Sequence, residues 1–209
     1  IRMLPPILSE NLCSLLPNCD KYAVTTEVLI NKLGEILDFS IYKSIIKSDC
    51  KFTYEEVFDI ISNNKNHFLK KELFNLYIVS KLIKKNKLSL PEKKFVNFEI
   101  KLEYQDFSHS MISELMILNN ILAAKLLNNL PYPARYHPKP ELSKCHELLK
   151  IYNNDISSIQ NKVDENNLLD LYLIHKLLTK AKYDSKNRGH WALNLEYYSH
   201  FTSPIRRYS

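Results

Sequence analysis

An α+β fold, mixing helices with antiparallel strands in one domain, is predicted by three observations on the 209-residue chain. From residue 96 to 104, Val96, Phe98, Ile100, Leu102 and Tyr104 alternate with polar residues, the pattern of a sheet with one wet face. Leu69, Leu73, Leu76 and Ile83 recur instead at helical spacing. Glycine is scarce: only Gly34 and Gly189 occur, where average usage of roughly 7% would give about fifteen. That scarcity excludes a Rossmann turn and a P-loop, which need clustered glycines to bring backbone up against phosphate. Sheets built from many primed hairpin turns are disfavoured for the same reason.

Hydrophobic residues make up 45% of the chain and charged residues 25%, so it can bury a core and is not disordered by composition. The formal net charge is +6. No basic-then-apolar segment opens the sequence, and no run of about 18 uncharged apolar residues could span a bilayer. Cys13, Cys19, Cys50 and Cys145 lack CxxC spacing and are too sparse for a secreted disulfide framework. A reducing cytoplasm is the expectation, with Cys13 and Cys19 as small core residues.

Taken in order, Leu4-Pro5-Pro6 predicts an extended start. The β-branched run at 23–30, the turn at Gly34 and a second extended run at 36–46 predict a hairpin. Thr53 opens a helix, because Glu56 three residues on completes a capping box; Val57, Ile60 and Ile61 give its apolar face. A longer helix spans about 67–85, with Lys70, Lys71, Lys81, Lys84 and Lys85 on its outer side. After the strand at 96–104 comes a helix over about 110–128, whose Leu115, Leu118, Ile121 and Leu122 face the core. Four prolines between Pro131 and Pro140 break it. Two more helices are expected, near 141–151 and 166–181. No internal repeat or low-complexity linker divides the chain.

The last ten residues carry the most chemistry. Ser203-Pro204 is a helix-start signal, serine capping and proline fitting the first position, where no N–H is needed. Arg206 and Arg207 fall in the same turn. A helix start favours an anion, and arginine's planar fork binds phosphate oxygens bidentately. Successive helical residues point about 100° apart, so one arginine can reach a reacting phosphate while the other braces a neighbour or a carboxylate. A solvated basic turn is the alternative.

The segment Tyr198-Ser199-His200-Phe201-Thr202-Ser203-Pro204-Ile205-Arg206-Arg207-Tyr208 resembles the signature of the RNase II/RNB family of processive 3′→5′ exoribonucleases. Four further segments resemble that family in its own order. Met3-Leu4-Pro5, with Leu8-Ser9-Glu10 and Leu12-Cys13-Ser14-Leu15, resembles the stretch after its acidic cluster. Phe52-Thr53-Tyr54-Glu55-Glu56-Val57 resembles "LTYxxV", and residues 111–120, MISELMILNN, resemble "LIEExMxLAN". Residues 183–191, YDSKNRGHW, resemble the "YxPxNxGHF" run of bacterial members.

The resemblance implies an incomplete RNB-type catalytic domain over residues 1–209, its C-terminal portion. It implies hydrolysis of RNA to nucleoside 5′-monophosphates with two magnesium ions held by aspartates. Arg206 matches the arginine at the scissile phosphate. Tyr54 and Glu114 match residues lining the RNA channel, and Arg207 an RNA-binding neighbour. The implied partner is single-stranded RNA, including structured RNA with a 3′ overhang. The aspartate cluster is expected upstream of Ile1, so the 209-residue chain by itself is expected to be inactive. Ser113, Asn119 and Trp191-Ala192 depart from the family pattern and read as packing variations.

Other candidates carry less. Adjacent Cys145-His146 invites a zinc site, but neighbouring helical residues diverge and no second pair has ligand spacing. His137, in Arg135-Tyr136-His137-Pro138, is either a phosphate contact or part of a helix-terminating loop. His200 is expected to orient the Arg206 turn. The lysines at 81–87 either attract RNA or form the wet face of a helix. Most of the 22 Tyr and Phe residues read as core, although aromatic rings can also stack on single-stranded bases. A non-catalytic RNB-like RNA-binding protein is the rival reading. A generic basic helical protein binding duplex DNA is a third, and it leaves the five ordered matches unexplained.

Overall fold

A computed structural model of the chain describes residues 3–88, 107–138 and 180–207. The strand read at 96–104, the helix read at 141–151, nearly all of that read at 166–181, and Cys145-His146 lie outside the described residues. The order of the main elements is β1 (Asp20–Ile30), β2 (Ile36–Lys47), α1 (Tyr54–Ser62), α2 (Lys70–Leu88), α3 (Phe107–Leu126), β3 (Ala134–Tyr136) and β4 (Lys182–Asp184). Helices and antiparallel strands are thus mixed, as an α+β fold requires. No helix among the described residues is long and apolar enough to cross a membrane. Contacts divide the chain into two compact units, one of Ile1–Ser89, Glu103–Ala123 and His200–Ser209, the other of Leu90–Leu102 and Ala124–Ser199.

The start of the first unit is helical, which corrects the extended reading of Leu4-Pro5-Pro6. Pro6 sits in the right-handed region, and a π-helix follows at Ile7–Leu12. Proline's fixed φ suits a first helical turn, and the Pro5 carbonyl accepts from the N–H groups of both Leu8 and Ser9 at 3.0 Å. Cys13 and Cys19 are exposed free thiols rather than core residues.

β1 and β2 pair antiparallel, with a register shift at Leu29/Ile30. Asn31 builds the turn between them. Its Oδ1 accepts from the N–H groups of Leu33 (2.9 Å) and Glu35 (3.0 Å), and its Nδ2 donates to Glu35 Oε2 at 2.6 Å. Gly34 adopts φ +82°, and a Cβ there would lie 2.5 Å from the Leu82 carbonyl oxygen of α2. Only glycine satisfies both the dihedral and the close approach.

One face of the hairpin supplies Val28, Ile30 and Phe39 to a core with Val79 and Ile83 of α2 and Leu115, Leu118 and Leu122 of α3. The capping box forms as read: Thr53 Oγ1 accepts from Glu56 N–H at 3.2 Å, and Thr53 N–H donates to Glu56 Oε2 at 2.7 Å. Val57 and Ile60 are buried. α2 begins at Lys70 rather than near His67, because the His67 ring nitrogen Nδ1 and carbonyl take the N–H groups of Leu69 and Lys70, as a cap does. Phe107, at the start of α3, stacks on Phe58 of α1 and contacts Tyr77 of α2, with ring centroids 5.3 and 4.8 Å away.

In the second unit Ala124, Tyr132 and Ala134 form a small buried cluster with Leu127 and Tyr197 packed on it. The proline-rich stretch does end α3, but it also holds β3, which pairs with β4. Arg135 lies directly opposite Tyr183 in that pairing, its guanidinium 4.6 Å from the ring centroid. Gly189, at φ +72°, passes the chain into a short 3₁₀ turn, Trp191–Leu193.

Candidate functional site

All four residues expected at the site, Tyr54, Glu114, Arg206 and Arg207, belong to the first unit. They lie far apart in sequence, and α3 is the element that relates them.

Tyr54 is the first residue of α1, 43% exposed, with its backbone direction set by the Thr53 cap. Its ring stacks on His109 of α3, centroids 3.6 Å apart and planes at 20°. Ser108 Oγ, also of α3, donates to the Tyr54 carbonyl at 3.0 Å. The first turn of α3 therefore grips Tyr54 by ring and by backbone. Glu114 lies further along the same helix and is 4% exposed.

Asn120 follows, 3% exposed. Its Oδ1 accepts from the N–H groups of Phe201 and Thr202, both at 2.9 Å. Eleven residues separate His109 from Asn120, about 16 Å of helix at 1.5 Å per residue. α3 thus holds Tyr54 near one end and the turn before Arg206 further along.

That turn differs from the helix start read at Ser203-Pro204. Pro204–Arg206 form a single 3₁₀ turn, and Ser203 stands in the left-handed region at φ 60° with no capping bond from its side chain. Side chains of the segment brace it instead. Arg207 Nε donates to the Thr202 carbonyl at 3.2 Å, and Arg207 Nη1 lies 2.8 Å from His200 Nδ1. His200 does contact the turn, as expected, and does so through Arg207. Arg206 is exposed, its Nη2 3.5 Å from Ser203 Oγ. The two arginines consequently have different surroundings: one is braced into the backbone, the other is presented.

Several sequence candidates have structural places. His137 is buried, its Nδ1 3.0 Å from the Pro138 carbonyl oxygen, and it packs on His190 and Trp191. Among the lysines at 81–87, Lys81 lies over the Tyr77 ring and Lys84 Nζ is 3.4 Å from Ser110 Oγ. Asn119 is more than a packing variation, since its Oδ1 accepts from Thr26 Oγ1 of β1 at 2.7 Å. Ser113 is exposed, so it fills no core position. Sequence reasoning assigned no role to His109 or Asn120. Both lie in or beside the stretch at 111–120, yet no spacing rule predicts partners at Tyr54 and Phe201.

Among the described residues no group of three or more His, Cys, Asp or Glu side chains is placed to hold a metal ion.

A family model described as "RNB domain" matches residues 1–209. The chain belongs to the RNB family. It is 33% identical over 239 aligned residues to ribonuclease R of Chlamydia pneumoniae, covering 100% of this chain and 35% of that protein. Among solved structures it resembles Mycoplasma genitalium RNase R in complex with ribose-methylated single-stranded RNA, with TM-score 0.84 and 26% identity, covering 100% of this chain and 38% of that one. It also resembles yeast Ssd1, a pseudonuclease, with TM-score 0.77 and 19% identity, covering 100% of this chain and 30% of that one. The last likeness is one of fold alone. The chain spans about a third of the length of the curated relatives it matches.

Proposed function

We propose that this chain is the C-terminal portion of the catalytic domain of a cytoplasmic 3′→5′ exoribonuclease, resembling ribonuclease R, which hydrolyses RNA to nucleoside 5′-monophosphates. The observation that carries the proposal is the family match along all 209 residues, including the stretch Tyr198–Tyr208. Tyr54, Glu114, Arg206 and Arg207 belong to one compact unit, in which α3 contacts both Tyr54 and the turn before Arg206, and this supports it.

In this reading the residues of the chain bind and orient RNA. Tyr54 offers an exposed ring beside the terminal nucleotides, backed by His109, and ring stacking suits single-stranded bases of any identity. Glu114, whose side chain is buried in this chain, is a channel residue by the family resemblance alone. Arg206 presents its planar fork to the non-bridging oxygens of the scissile phosphate, where negative charge builds during in-line attack. Arg207 is a neighbouring RNA contact whose main work is to brace the turn through His200 and the Thr202 carbonyl. The resemblance implies magnesium held by aspartates of the longer protein, and the ion would there activate water and neutralise charge on the phosphate.

The test uses the full-length parent with 5′-labelled single-stranded RNA and magnesium. Stepwise shortening from the 3′ end with release of nucleoside 5′-monophosphates is the expected result. Tight RNA binding without shortening, in a preparation that retains magnesium, identifies a non-catalytic RNA-binding protein instead.

A further inference from the structure

We infer that Asn120 is a positioning residue for the Arg206 turn, an inference that rests on the exoribonuclease reading above. Two consecutive backbone N–H groups, of Phe201 and Thr202, converge on the single oxygen Oδ1 of Asn120 at 2.9 Å each. Backbone N–H groups can only donate, so the amide must face them with its oxygen. The side chain is 3% exposed, and water cannot readily replace it there. A buried donor left without its acceptor is costly, so these bonds select one path for the chain at 201–202.

The consequence reaches Arg206 through four residues of backbone. From Thr202 the chain passes Ser203, in the strained left-handed region, into the 3₁₀ turn of Pro204–Arg206. Backbone bonds from Arg206 N–H to the Ser203 carbonyl (3.3 Å) and from Arg207 N–H to the Pro204 carbonyl (3.2 Å) close that turn. Arg207 folds back to the Thr202 carbonyl, so Thr202 is held by Asn120 on its N–H and by Arg207 on its C=O. The exposed guanidinium of Arg206 takes its position from this framework. α3 carries Asn120, and its first turn also grips Tyr54. One rigid helix thereby sets the spacing between the nucleotide-stacking ring and the phosphate-binding arginine.

A misplacement of about 1 Å at a reacting group costs on the order of a hundredfold in rate. In the full-length parent, Asn120→Leu is expected to slow single-turnover cleavage by about that factor, with RNA affinity held within a few fold, because binding is spread over many phosphates. Asn120→Asp, which keeps an oxygen facing both N–H groups, should restore most of the loss. Adding Asn120→Leu to Arg206→Lys should slow cleavage little beyond Arg206→Lys alone, since the two changes disable one device. Hydrogen exchange at the Phe201 and Thr202 amides should accelerate in Asn120→Leu and not in Asn120→Asp. If Asn120→Leu does not fold, Asn120→Ser serves the same comparison. Multiplicative losses in the double variant, or unchanged exchange at 201 and 202, overturn the inference. A wild-type parent that binds RNA without cleaving it overturns the enzymatic reading instead, and the exchange data then decide whether Asn120 holds the turn.

Discussion

Two helix starts, at Thr53 and at Ser203, read alike in the sequence and are built differently. Thr53 and Glu56 satisfy each other's backbone N–H groups within four residues, and a nine-residue helix follows. Ser203 caps nothing, takes a left-handed backbone, and is followed by one 3₁₀ turn. What fixes the second segment comes from 82 residues away, at Asn120, and from the cross-brace between His200 and Arg207. A cap made of local bonds can be read from spacing. A turn held by remote partners cannot, because a serine before a proline is compatible with either outcome.

Gly34 combines both kinds of constraint and should give the largest stability effect. Gly34→Ala meets the positive φ of a local turn and the remote Leu82 carbonyl at 2.5 Å. We expect a loss of about 2–4 kcal/mol in urea unfolding of the full-length parent. A loss under about 1 kcal/mol would mean that the hairpin turn can move away from α2.

The two starts themselves should respond oppositely. Thr53→Ala removes a working cap and should cost about 1 kcal/mol. Ser203→Gly removes no cap and relieves a left-handed residue, so stability should stay within about 0.5 kcal/mol of the parent. Equal losses at the two sites would erase the distinction drawn between them. Acid sharpens it further. Hydrogen bonds from Thr53, backbone first and then side chain, hold the Glu56 carboxyl below its ordinary pKa of 4.5. Its contribution is therefore present above that value and is lost as pH falls through the lowered one. The cost of Glu56→Gln, measured by thermal melts at neutral pH and near pH 3, should shrink in acid, whereas the small effect of Ser203→Gly should not change.

The same contrast explains how much was legible beforehand. The hairpin, α1 and α3 followed from β-branched runs about Gly34, capping and helical spacing, and Leu118 and Leu122 are buried as read. The opening turn was missed because Pro5-Pro6 suits both an extended chain and a first helical turn. β3 was missed because three residues among prolines carry too short a pattern. Of the site, Arg206, Arg207, Tyr54 and Glu114 were named from family motifs rather than from periodicity. The contacts that organise them, His109 on Tyr54 and Asn120 on Phe201 and Thr202, join segments 55 or more residues apart and leave no local trace.

The central claim is that this remotely held turn exists to present Arg206 to the reacting phosphate. Arg206→Lys in the full-length parent tests it most directly, because lysine keeps the charge and loses the planar fork. Single-turnover cleavage of single-stranded RNA should fall by about a hundredfold to a thousandfold, while RNA affinity at matched salt changes by less than about threefold. Cleavage at the parental rate, or binding that collapses in step with cleavage, would contradict the role assigned to Arg206.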